Sequence, residues 1–133
     1  MKVIDMHLHL DEKIIGESKI ALDTLSNEMI KEGINKGLLL HLNTQRFNFE
    51  DLGRELRHHK NIFGFININP MDKDAEFQLE RGIVKLNFQG LKLHPRLNSY
   101  NADHPKVKKL FKKAYSLGVP TLVDAFPDGN SLQ

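Results

Sequence analysis

Five short apolar runs, separated by helical patterns, set the strongest constraint on the fold of this chain. The runs begin near residues 3, 37, 62, 89 and 119, so the repeating unit is about 25–34 residues long. Between the runs, apolar residues recur at steps of three and four. Leu22, Leu25 and Met29 share one helical face in the first interval, and Phe49, Leu52 and Leu56 share one in the second. The segment 72–87 has a third helical pattern, and Val107, Leu110, Phe111, Ala114 and Leu117 form a fourth stripe. Parallel strands need a crossover of a dozen or more residues, usually a helix, so this alternation predicts βαβ units and a parallel sheet.

The predicted strands are Lys2–Leu10, 37–43, 61–70, 88–95 and 119–126. Asn48 suits a helix N-cap, Gly33, Gly37 and Gly118 suit helix ends, and Pro105 suits a first turn. The strands read as near-continuous apolar runs, as expected where both faces are covered. Two architectures fit. A (β/α)₈ barrel is typically ~250 residues long, of which this chain would supply roughly five of eight units. Five parallel strands also suit an open, doubly wound sheet. No linker or low-complexity segment interrupts the pattern, so residues 1–133 read as one domain.

Composition narrows the functional classes. The chain is 40% hydrophobic and 27% charged, with a net charge of only +2, which gives no reason to expect a nucleic-acid partner. Cysteine is absent, so metal ligands must come from His, Asp, Glu or a modified Lys. Asp5 and His7 interrupt the first apolar run too early for a signal peptide. No run approaches the ~18 apolar residues of a membrane span, so a soluble, cytoplasmic protein is the expectation.

The run "KVIDMHLHL" places two histidines one residue apart in a stretch that otherwise reads as buried. Residues two apart on a strand project to the same face, so Asp5, His7 and His9 are expected on one side. Ligands gather at the C-terminal ends of parallel strands, where His7 and His9 fall. Two imidazoles there suit one divalent ion, zinc or a neighbouring transition metal. Rim histidines satisfied by backbone or water are the alternative. The run "GLKLHP" puts Lys92 and His94 at the end of the fourth strand by the same period. A buried amine has a lowered pKa and, once neutral, forms a Schiff base or takes up carbon dioxide as a carbamate. A lysine that snorkels to solvent, or pairs with Asp5 or Asp124, is the structural alternative.

Together, "VIDMHLHL", "GLKLHP" and "LGVPTLVD" resemble the amidohydrolase superfamily of metal-dependent (β/α)₈ hydrolases, and within it the amidohydrolase-related group that includes decarboxylases. The resemblance covers essentially the whole chain, as the N-terminal part of a family member. It implies that His7 and His9 bind the metal and that Lys92 matches a strand-four lysine carbamylated in binuclear members. The family usually ends strand five with histidine, where this chain has Asp124, a residue that still ligates zinc or orients water. The family's strand-six histidine and strand-eight aspartate have no counterpart up to Gln133.

The resemblance implies hydrolysis of an amide, ester or lactone of a small-molecule substrate by a water that the metal activates. Zinc is the first expectation, with manganese or iron as alternatives. Decarboxylation is the second chemistry, and a silent binding or assembly module retaining the fold is the third reading. Lys92 and Asp124 are the candidate catalytic groups, and His94 and Arg96 the candidate substrate contacts. His41, Asn43, Asn67 and Asn69 read as satisfied rim groups, and His58 and His59 as solvent-facing. The open edges of a partial barrel predict self-association.

Overall fold

A computed structural model of the chain describes residues 1–125. Its elements alternate as expected: β1 (Ile4–Leu8), α1 (Ser18–Lys31), β2 (Lys36–Leu40), α2 (Phe49–Leu56), β3 (Ile62–Asn67), α3 (Ala75–Val84), β4 (Phe88–Leu93), α4 (Pro95–Asn98), α5 (Pro105–Ser116) and β5 (Thr121–Val123). Every strand pair is parallel, and the strand order is β1-β2-β3-β4-β5. That order decides between the two architectures. A doubly wound sheet reverses direction at a switch point, whereas this one adds each strand to the same edge. The result is a curled half-barrel.

The helices cover one face only. Leu39, Ile62, Ile66, Phe88, Leu91 and Leu93 from the sheet join Ala21, Leu22, Met29, Leu52, Leu79 and Leu110 from the helices in one core. The opposite, concave face carries a separate cluster of strand residues, Leu38, Leu40 and Phe65, with Phe63 and Leu122 packed against it. Alternation along each strand therefore sends one set of side chains to the helices and the other to the barrel interior.

Local chemistry fixes the element ends. The Asn48 side chain caps α2 by accepting from Asp51 N–H at 2.9 Å. Gly33 and Gly118 take positive φ just past α1 and α5. Gly37 lies inside β2, where an added Cβ would strike Leu8 and Met29. The strand expected at 119–126 is observed only at Thr121–Val123, and Phe126 lies outside the described residues. Phe111 is exposed rather than part of the buried α5 stripe formed by Val107, Leu110 and Ala114.

Candidate metal centre

The register between β1 and β2 is irregular between Asp5 and Leu8: three steps along β1 match two along β2. Asp5 therefore falls out of phase with His7 and His9, contrary to simple alternation. Its Oδ1 accepts the backbone N–H of His7 at 2.9 Å, so it shapes the strand locally. Such an extra residue re-aims side chains at the mouths of barrels.

His7 and His9 do converge. Their Nε2 atoms are 3.0 Å apart, and the rings meet edge to face at 78° with centroids 4.9 Å apart. His9 Nδ1 lies 2.9 Å from the carbonyl oxygen of Leu40, which can only accept. Nδ1 of His9 must carry the proton, which leaves its Nε2 as a bare lone pair aimed at His7. A backbone carbonyl fixing the far nitrogen of an imidazole is the arrangement that orients a metal ligand. Burial is the main influence on the ring, pushing its pKa below the ordinary histidine value, against the Leu40 bond. Two nitrogens 2.0–2.1 Å from one tetrahedral ion would be roughly 3.3 Å apart, so a small opening of this pair accommodates one. The spacing of the two rings fits a divalent ion, of which they would be two ligands. Among the described residues, no cluster of three His, Asp or Glu side chains completes a set.

The loop after His9 is tied down from the other side. Gln45 Nε2 donates to Leu10 O at 3.1 Å, and the Arg46 guanidinium donates to the carbonyls of Gly16 and Ile14. These contacts span roughly 30 residues of sequence, so no local pattern signals them.

At the ends of β4 and β5, His94 and Asp124 pair directly, Nε2 to Oδ2 at 2.8 Å. His94 Nδ1 accepts from Leu97 N–H at 3.2 Å, capping the short α4. With Nδ1 accepting, the ring's proton sits on Nε2 and is donated to the carboxylate. Burial, more than any neighbour, pushes the His94 pKa down, and Asp124 opposes it. The structure thus joins these two candidate residues and gives His94 a positioning task at the loop.

Lys92 lies on the concave face and is 2% exposed. Lys92, Arg96, Asp124 and His7 line one open cavity of about 470 Å³, together with Leu122, Val123 and Ala125. The predicted site residues of three strands therefore share one mouth. His9 stands beside that mouth through His7.

The rim polar groups form a network whose connections were not foreseen. His41 Nδ1 accepts from Asn67 N–H at 3.2 Å, and Asn67 Nδ2 donates to Lys92 O at 3.2 Å. Asn67 Oδ1 accepts from Asn43 N–H at 3.0 Å, and Asn98 Nδ2 donates to Asn43 Oδ1 at 3.0 Å. His59 is a correction: its side chain is largely buried and meets Asp23 Oδ1 at 3.1 Å.

No protein-family profile matches the chain, and no curated protein sequence matches it significantly. Solved structures do match its fold. A Staphylococcus aureus protein assigned as an amidohydrolase superposes with a TM-score of 0.71 at 21% identity, over 99% of this chain and 50% of that one. A Novosphingobium aromaticivorans 5-carboxyvanillate decarboxylase, with bound manganese and 3-methoxy-4-hydroxy-5-nitrobenzoic acid, gives 0.69 at 10% identity, over 98% and 53%. An Acinetobacter baumannii protein assigned as a 2-pyrone-4,6-dicarboxylic acid hydrolase, with citric acid bound, gives 0.64 at 14% identity, over 92% and 49%. The chain spans about half the length of these structures, and likeness at such identities establishes the fold.

Proposed function

We propose that this chain carries the N-terminal part of a metal-dependent hydrolase of the amidohydrolase type, with His7 and His9 as metal ligands. The observation that carries the reading is the convergence of the two Nε2 atoms at 3.0 Å, with the His9 tautomer set by Leu40. The fold likeness to an assigned amidohydrolase, an assigned pyrone-dicarboxylate hydrolase and a decarboxylase supports it. A divalent ion held there supplies Lewis acidity, polarising a carbonyl and lowering the pKa of its water toward ~7 from ~15.7.

The chain's own residues do the rest. His9 presents its lone pair without reorganising, because Leu40 O already holds its proton on Nδ1. His7 donates through Nε2 to His9 in the metal-free pair, so it must shift that proton to Nδ1 when it becomes a ligand. Asp124, positioned by His94, takes a hydrogen bond from the attacking water at the cavity wall. Arg96 orients the substrate there, and Lys92 stabilises negative charge that develops inside the mouth. A general base from outside the described residues accepts the water's proton.

The decarboxylase reading uses the same mouth and has its own support in the manganese-bound decarboxylase that shares the fold. Metal analysis of protein purified without chelator tests the common premise. Near-stoichiometric zinc, manganese or iron that falls on joint replacement of His7 and His9 by alanine is the expected result. Metal-free protein indifferent to added zinc would leave a fold-retaining binding module. Turnover of carboxylated lactones against carboxylated phenols then separates hydrolysis from decarboxylation.

A further inference from the structure

Lys92 poses a problem that metal ligation does not solve. Its side chain is among the most buried in the protein, at 2% exposure. Its backbone stands in register between Asn67 of β3 and Leu122 of β5. The same concave face carries the apolar cluster of Leu38, Leu40 and Phe65. Asn67 bonds to the Lys92 backbone carbonyl, and no side chain among the described residues makes a hydrogen bond or ion pair with Lys92 Nζ. The carboxylate that acts on it, Asp124, is engaged by His94 at 2.8 Å. Among the described residues, Tyr100 Oη is the side-chain polar atom wholly buried without a partner, so Lys92 Nζ keeps access to the cavity that Lys92 lines. An ammonium that has lost most of its hydration there favours an anionic partner.

We propose that Lys92 anchors the carboxylate of a small organic acid, whose apolar body lies in the adjoining cavity. The cavity's own lining selects this class. One part offers Lys92, with Arg96 as a second cation, against the single carboxylate of Asp124, which His94 already engages. Another offers Leu122, Val123 and Ala125, with His7 completing the lining. A single anionic group on an apolar body matches that division. Inorganic phosphate, which needs several convergent donors, does not. The volume of about 470 Å³ falls within the usual range of ligand pockets. Burial is the main influence on the amine, pushing its pKa below the ordinary lysine value, and Asp124 only partly opposes this. An anion beside Nζ replaces the hydration that the ammonium has lost. The anchor goes beyond the metal reading, because Lys92 lines the cavity whether or not an ion rests on His7 and His9.

The test is isothermal titration of the full chain after metal removal with the neutral chelator 1,10-phenanthroline, which leaves no competing carboxylate. Benzoate is the probe, with benzamide as its uncharged counterpart and inorganic phosphate as the anion lacking an apolar body. Benzoate is expected to bind about tenfold or more tightly than either control, and Lys92→Met to weaken it by about tenfold or more. Circular dichroism checks folding, and Lys92→Gln replaces Lys92→Met if the latter does not fold. The His9→Ala variant, which leaves the cavity lining intact, is expected to keep benzoate affinity within about twofold while losing zinc uptake. Three results would each overturn the proposal: no benzoate binding, equal binding of benzamide, or benzoate binding that survives Lys92→Met. Zinc uptake that fails while Lys92-dependent benzoate binding persists would sink the metal reading alone.

Discussion

Replacing His41 with asparagine tests whether the rim network is held together by a neutral imidazole. His41 follows β2 and is 4% exposed. Its Nδ1 accepts Asn67 N–H, its ring also bonds the Phe47 backbone, and burial pushes its pKa down to about 4. Protonation puts a second donor opposite Asn67 N–H and breaks that bond. The folded state binds this proton less readily than the unfolded chain, whose histidine titrates near 6.5. The stabilisation is therefore complete above pH 6.5 and is lost as pH falls toward about 4. At 1.36 kcal/mol per pKa unit, the loss is about 2 kcal/mol at pH 5 and about 3 kcal/mol at pH 4. His41→Asn keeps an acceptor for Asn67 but does not titrate in this range. Urea unfolding at pH 8, 6.5 and 5 is the assay. The variant is expected to be the less stable at pH 8, by about 1–3 kcal/mol. That gap should narrow by about 2 kcal/mol at pH 5. The comparison removes the shared contributions of His9 and His94, whose pKa values are also lowered by burial. A gap that stays constant with pH would refute the assignment of a buried, neutral His41.

Gly90→Ala is expected to cost about 1–3 kcal/mol in chemical denaturation, because a Cβ there would sit 2.5 Å from the Phe65 ring. Zinc titration should show Asp5→Asn weakening metal binding less than His7→Ala, since Asp5 bonds the His7 backbone and not its ring; the reverse order would return Asp5 to the metal site. Self-association is expected in sedimentation velocity, with hydrophobic-dye uptake: β1 and β5 are open sheet edges, Met6 is 61% exposed and Tyr115 is 88% exposed. A concentration-independent monomer that binds no dye would count against it.

The alternation of elements was legible because burial imposes a period of two on strands and 3.6 on helices, and the sequence follows both. Asn48 and the glycines after α1 and α5 were legible for local reasons of the same kind. Barrel and doubly wound sheet could not be separated by pattern, since both consist of parallel βα units; strand order is a long-range property. The site was legible only as far as it is local. Period two brought His7 and His9 together, yet the extra residue between Asp5 and Leu8 removed Asp5 from their face. The partners that give these groups their properties lie far off in sequence: Leu40 for His9, Asp124 for His94, Asp23 for His59. A sequence pattern names the donor and stays silent about such an acceptor.

These distant partners share a feature that bears on how the mouth works. His9 is held by a strand carbonyl, His41 by a strand amide, and Asn67 by the carbonyl of Lys92. These three groups are thus fixed to backbone at the ends of β2, β3 and β4, while His7 with His9 and His94 with Asp124 pair through their side chains. Strand ends are positioned by the core beneath them, where Leu39, Ile66 and Leu91 are fully buried against the helices. The geometry of the mouth is therefore set by the most rigid layer of the fold, while Arg96 comes from the short α4 and Asp124 and Ala125 lie beyond β5. A change in α4 or just after β5 alters what the cavity accepts without moving the imidazoles. Lys92 differs from Arg96, the other cation of the mouth, because it is part of the rigid sheet and also lines the cavity. A preference for negative charge would consequently survive replacement of α4 and disappear only when the strand itself is altered.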